Sequence, residues 1–246
     1  MHMKWYAFLL PWIFFGAMTD MIPSPDDSLV SKAALGQTPI GAWTLKSGSI
    51  IRTLVIVDGY LSLTEFNIEQ KKFNYTTGGT VARVDRKLQG KTEFHSADKA
   101  LAGLSFAWPM EINETTLTIN RNGVSEIYAR IDDGKGPLAG NWRITGREQN
   151  GQMVEIKPAA RKTIKLLSAS RFQWAAINTE TGEFFGTGGG TYTFKDGIYT
   201  EQIEFFSRDS SRVGMSLSFN GKVEGRNWHH SGKSSRGEPI HEVWSR

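Results

Sequence analysis

The chain has 246 residues, 29 Lys and Arg against 25 Asp and Glu, and a formal net charge of +4. That length holds one large β domain or two of about 100 residues each, and the mild, evenly mixed charge excludes the basic stripe of a nucleic-acid binder. There is no cysteine, which excludes disulfides, thiolate chemistry and Cys-ligated zinc.

Lys4 precedes an apolar run from Trp5 to Met18, the length of a signal-peptide core. A spanning helix needs roughly 20 such residues, and Pro11 and Asp20 argue against one. Residues 1–19 are therefore expected to be a signal peptide cleaved between Ala17 and Asp20. The mature protein would be exported, periplasmic or secreted, with no stable membrane span; a retained N-terminal anchor is the alternative. Residues 20–39, with Pro23, Pro25, Asp26 and Asp27, read as a tether.

From there the chain repeats itself. Thr53–Ser96 lies over Ile164–Ser207 at a constant shift of 111 without a gap. Asn67 meets Asn178, Phe73 meets Phe184, Thr76 meets Thr187, and Gly78-Gly79-Thr80 meets Gly189-Gly190-Thr191. The ends match too: Gly41-Ala42-Trp43 with Gly140-Asn141-Trp142, and Glu126 to Arg130 with Glu242 to Arg246. The units expected are 40–131 and 139–246, joined by a linker over 132–138.

Each copy reads as about eight short strands with turn signals between them. In the second copy these lie near 140–146, 162–168, 170–177, 183–195, 198–207, 212–220, 222–231 and 239–246. Turns are expected at Ala169-Ser170, Glu180-Thr181-Gly182, Lys195-Asp196-Gly197, Asn220-Gly221 and Arg236-Gly237. Helical periodicity is nearly absent. The fold class is all-β, two tandem small antiparallel up-and-down barrels, since closure removes free edges; a two-sheet sandwich is the competing arrangement.

The Gly-x-Trp that opens each copy and the Arg that closes it resemble the lipocalin and wider calycin pattern. In that family the Trp closes one end of the barrel beneath a basic side chain. The resemblance implies two closures, Trp43 with Arg130 and Trp142 with Arg246, each a guanidinium stacked on an indole. The second copy also resembles lipocalin-like domains of unassigned function in exported bacterial proteins. Residues 186–192, 199–207, 228–232 and 242–246 carry that likeness. Each copy is shorter than an ordinary lipocalin.

Strand alternation sorts residues by face. In the second copy it sends Trp174, Tyr199, Glu201, Trp228, His230 and Glu242 into the lumen, and His229 outside. That is an aromatic box with two carboxylates and an imidazole, the composition of a small-molecule pocket. Buried carboxylates need partners, and His230 and the Tyr199 hydroxyl are the candidates. At matched positions the first copy has Leu63, Leu88 and Gly90, so the second barrel is the expected binder and the first the scaffold. The second copy's longer first loop, carrying Glu148, Lys157, Arg161 and Lys162, reads either as a lid over the mouth or as a tolerated insertion.

The expected function is binding of a small apolar or mixed-polarity ligand. The alternatives are a structural or interaction module with both barrels filled, its partner a protein or glycan, and an enzyme using Glu201 or Glu242 beside His230. No nucleophile with an orienting partner can be placed, so no catalytic residue is assigned. No cofactor is expected. Nor is a metal site, because alternation sends His241 and Glu242 to opposite faces. Residues 186–190 are glycine-rich but open no helix, which excludes a phosphate loop; they read instead as a bend.

Overall fold

A computed structural model describes residues 37–246; the expected signal peptide and nearly all of the tether lie outside this range. The first barrel is built from β1 (Gly41–Ser47), β2 (Ile50–Val57), β3 (Tyr60–Asn67), β4 (Lys72–Val84), β5 (Lys87–His95), β6 (Ser105–Ile112), β7 (Thr116–Arg121) and β8 (Val124–Asp132). Each strand pairs antiparallel with the next, and β8 returns to β1 to close the cylinder. The second comprises β9 (Gly140–Gln149), β10 (Gln152–Glu155), β11 (Arg161–Leu167), β12 (Arg171–Asn178), β13 (Phe184–Lys195), β14 (Ile198–Phe206), β15 (Ser216–Glu224), β16 (Asn227–Lys233) and β17 (Pro239–Ser245). Here β17 closes onto β9, and β10 hangs on β9 alone as a hairpin arm. The described residues thus form two closed eight-stranded antiparallel barrels in tandem rather than a two-sheet sandwich.

Two details differ from the sequence reading. The Asn220-Gly221 pair is not a hairpin turn but sits within β15, and the chain reverses at Gly225, whose φ is 60°. Gly221 is needed for contact: a Cβ there would lie 2.9 Å from the Phe194 ring and 3.2 Å from Trp228 Nε1. The longer first loop is largely ordered into the β9–β10 hairpin, with Gln152 to Glu155 paired back on Gln149 to Gly146.

The glycine-rich segment does bend a strand. Pairing of β13 with β14 slips between Gly189 and Gly190, as pairing of β4 with β5 slips between Gly78 and Gly79. At Gly79 and Gly190 a Cβ would strike a carbonyl of the facing strand, so only glycine permits this approach.

The two barrels share a wall. Outward side chains of β2 and β3 pack on those of β11 and β12, burying Val55, Val57, Tyr60, Ile164, Ala175 and Ile177 in one cluster. Strands covered on both faces become continuous apolar runs, which explains Leu54 to Val57 and, on either side of the inward Lys165, Ile164 and Leu166. Contacts across this wall are reciprocal. Phe73 stacks on its own counterpart Phe184 at 6.4 Å, and Phe94–Phe184 (6.3 Å) is mirrored by Phe73–Phe205 (6.4 Å). Ser62 donates to Gln173, again its counterpart, at 2.6 Å. The Gln173 amide also accepts from Thr64 and donates to Thr76 and Thr187. Reciprocity of this kind defines an isologous, two-fold interface, here within one chain.

The junction adds fixed contacts. The Asp132 carboxylate accepts hydrogen bonds from the Ser168 and Ser170 hydroxyls at 2.7 and 2.6 Å, while Asp58 Oδ2 accepts from the Asn141 backbone N–H at 3.0 Å.

Candidate ligand-binding site

One end of each barrel is stoppered identically. Trp43 and Trp142 are fully buried, and each indole donates to the carbonyl four residues earlier, Pro39 at 2.8 Å and Leu138 at 2.7 Å. The Arg130 guanidinium lies 4.0 Å over the Trp43 ring, and that of Arg246 lies 4.4 Å over Trp142. Arg246 also reaches the Ala139 carbonyl at 2.5 Å.

Above the stopper the barrels diverge. In the first, leucines and Met110 fill the lumen, and an ionic plug fills the mouth. Arg52 pairs with Glu65 at 2.5 Å and Glu126 at 2.9 Å; Arg121 grips Glu126 with two bonds of 2.8 Å, and the Tyr128 hydroxyl adds a third contact to it at 2.8 Å. These bonds and the charges of Arg121 and Arg52 outweigh the effect of burial and hold the Glu126 carboxyl below its ordinary range.

In the second barrel the plug is missing residue by residue. Arg52 faces Glu65 across β2 and β3, and the matched pair across β11 and β12 is Thr163 with Ala176. On β7, Arg121 lies two residues beyond Ile119, which faces Glu126; on β16, Gly232 lies two beyond His230, which faces Glu242. Three long charged side chains are replaced by Thr163, Ala176 and Gly232, and a cavity of about 540 Å³ opens in their place.

Of the six residues expected in this lumen, Trp174, Glu201, His230 and Glu242 line the cavity. Tyr199 and Trp228 face inward but form its floor; both are fully buried, with ring centroids 4.9 Å apart, and Trp228 meets Trp142 at 5.8 Å. His229 lies outside, 3.5 Å from Glu224.

The carboxylates have cationic partners that were not expected, beside the His230 that was. Lys165, which occupies the position of Leu54, is buried and pairs with Glu201 at 2.9 Å. Its ammonium sits 5.0 to 5.3 Å from the Trp244, Tyr199 and Trp228 rings, where their faces attract a cation. Glu242 pairs with Arg147 at 2.7 Å and accepts from the Trp244 indole at 3.2 Å, while His230 stands 3.7 Å away. Burial would raise the Glu242 carboxyl, but His230, Lys165 and Arg147 outweigh it and hold it at about 2. Burial, then the Lys165 charge, pushes the His230 imidazole below its ordinary value, so it is neutral at pH 7. Burial, then Glu201, raises the Tyr199 hydroxyl well above its ordinary value. That hydroxyl makes no hydrogen bond to either carboxylate.

The second barrel also carries the comparison. Residues 137–246 match a family model described as a domain of unknown function (DUF4488). No curated protein matches the chain, and no solved structure does. The stretch that is similar to DUF4488 therefore contains the whole of β9 to β17 and the cavity within it, while the plugged barrel lies outside the match.

Lys165 and Arg147 were not singled out from sequence. The alternation that placed Glu201 inward also places Lys165, in step with Thr163 and Leu167. A buried carboxylate without a cation was the available signal. Among the described residues no cluster of His, Asp and Glu is arranged to hold a metal, and His241 instead meets Glu148 at 3.3 Å.

Proposed function

We propose that the protein is an exported lipocalin-like binder that holds one small molecule of mixed polarity in its second barrel, with the first barrel as scaffold. The observation that carries this is the contrast between two copies of one unit. The mouth that Arg52, Glu65 and Arg121 fill in one is cleared by Thr163, Ala176 and Gly232 in the other, leaving about 540 Å³ lined by Phe172, Trp174, Trp244 and a few polar groups. Pockets of 300–1,000 Å³ with apolar walls and sparse polar groups are the usual form of small-molecule sites. The β9–β10 hairpin brings Arg147 and Glu148 to the rim, so the longer first loop serves as part of the entrance. Export rests on the apolar segment Trp5 to Met18.

The test is to rebuild the plug. N-phenyl-1-naphthylamine, an uncharged fluorescent probe, should saturate one site on the native chain. The double variant Thr163→Arg, Ala176→Glu, which copies the Arg52–Glu65 pair, should abolish that site with near-ultraviolet circular dichroism unchanged. No saturable binding to the native chain, or undiminished binding to the plugged variant, refutes the reading. Cell fractionation and the intact mass of the mature chain test export and cleavage.

A further inference from the structure

The polar groups of the cavity fall into two sets. Every charged side chain deep in it is already matched: Lys165 by Glu201 at 2.9 Å, and Glu242 by Arg147 at 2.7 Å with the Trp244 indole at 3.2 Å. The uncharged ones are not. His230 is 2 % exposed and lines the cavity, yet neither ring nitrogen makes a hydrogen bond: Nδ1 stands 3.7 Å from Glu242, beyond hydrogen-bond length, and Nε2 has no partner. Behind it, the Tyr199 hydroxyl and Trp228 Nε1 are also unpartnered, with ring centroids 5.6 and 5.1 Å from the imidazole.

A buried polar group without a partner costs about 1–3 kcal/mol. A neutral imidazole presents a donor at one nitrogen and an acceptor at the other, in divergent directions, so the ligand group that suits it in either tautomer is one able both to accept and to donate at the nitrogen it meets. A hydroxyl or a primary or secondary amide does both; a carboxylate only accepts and an ammonium only donates. Charge leads to the same selection. A carboxylate beside His230 would lie near Glu201 and Glu242 with both local cations already engaged. An ammonium would lie near Lys165.

Resting on the proposed binding role of this cavity, we infer that its ligand is an uncharged, hydroxyl- or amide-bearing molecule with an aromatic or alicyclic body, its polar group seated on His230 and its apolar body against Phe172, Trp174 and Phe219. The Lys165–Glu201 pair sets the local field and does not take the ligand's charge.

The experiment uses four probes that share one body: 2-naphthalenemethanol, 2-naphthoate, 2-naphthylmethylammonium and 2-methylnaphthalene, titrated calorimetrically into the full chain. The alcohol should bind about tenfold tighter than the hydrocarbon, the worth of a hydrogen bond in a desolvated site, and tighter than either ion. His230→Leu should bring the alcohol-to-hydrocarbon ratio close to one, whereas His230→Gln, which keeps a donor and an acceptor, should retain most of it. Tightest binding by the carboxylate or the ammonium overturns the inference while leaving the cavity in place. So does an alcohol preference that persists in His230→Leu. Failure of all four probes to bind removes the binding reading itself.

Discussion

Lys165→Met isolates the energetics of the charged interior. The Lys165 and Glu201 side chains are 5 % and 8 % exposed and 2.9 Å apart, so solvent screens their interaction little. Methionine keeps the length and apolar stem of lysine but leaves the Glu201 carboxylate buried beside no cation, a loss of about 3–5 kcal/mol. Glu201→Gln should cost less, about 2 kcal/mol, because the ammonium it strands keeps three aromatic rings within 5.3 Å. The double variant should recover most of the Lys165→Met loss, keeping about 1–3 kcal/mol for the glutamine amide left opposite an apolar side chain, since no charge is then stranded. The first barrel has that solution already, with Leu54 and Gly90 at these two positions. The measurement is urea denaturation followed by tryptophan fluorescence, completing a double-mutant cycle. In a thermal melt Lys165→Met should lower the midpoint by about 10 °C for a domain of this size. A cost below about 1 kcal/mol, or a double variant as unstable as the sum of the singles, refutes the assignment of Lys165 as the counter-charge of the lumen.

Stability should fall on acidification. The His230 imidazole is depressed in the folded chain, so it contributes stability above its unfolded value of about 6.5 that is lost as pH falls through the folded value. Glu242, held at about 2, contributes above the unfolded carboxylate value of about 4.3, and this is lost as pH drops toward 2. His95 in the first barrel is depressed in the same sense, so comparing melts of the native chain and His230→Gln between pH 7 and 5 isolates the second barrel's share; an identical slope counts against it. Trp142→Ala should cost about 3–5 kcal/mol, the value for a fully buried large aromatic, and Arg246→Ala about 0.5–1 kcal/mol for the lost stacking; equal costs in urea denaturation would mean that the indole does not stopper the barrel. Gln173→Leu should destabilise by about 2–3 kcal/mol, because it leaves the Ser62, Thr64, Thr76 and Thr187 hydroxyls short of the amide that bridges them; a neutral effect would show that these hydroxyls re-pair on their own.

Closure was legible in the sequence because its chemistry is local and repeated. The matched Gly-x-Trp starts and terminal arginines mark where each cylinder begins and ends. Alternation on β12, β14, β16 and β17 turned Trp174, Tyr199, Glu201, Trp228, His230 and Glu242 inward, as they lie. On β11 the same reasoning met interference. Ile164 and Leu166 are buried against the other barrel rather than exposed, so alternation on this strand puts the apolar side chains outward and Lys165 reads as the solvent-facing residue. The turn at Asn220-Gly221 was misread for a related reason. The pair has hairpin chemistry, but its glycine answers to Phe194 and Trp228, side chains on two other strands. How far an insertion orders itself is also a tertiary matter, and the β9–β10 arm shows it.

The shared wall has a consequence for reading the repeat itself. Phe73 and Phe184, Thr76 and Thr187, and Phe94 and Phe205 all sit where one copy touches the other. The positions that have drifted apart, Leu54 to Lys165, Arg52 to Thr163 and Glu65 to Ala176, all face an interior. Resemblance between the halves at the rings of the seam therefore records mutual dependence, since each ring packs on its opposite number; where the seam is polar the copies have parted, Ser62 against Gln173, and the lumens have parted in their charge.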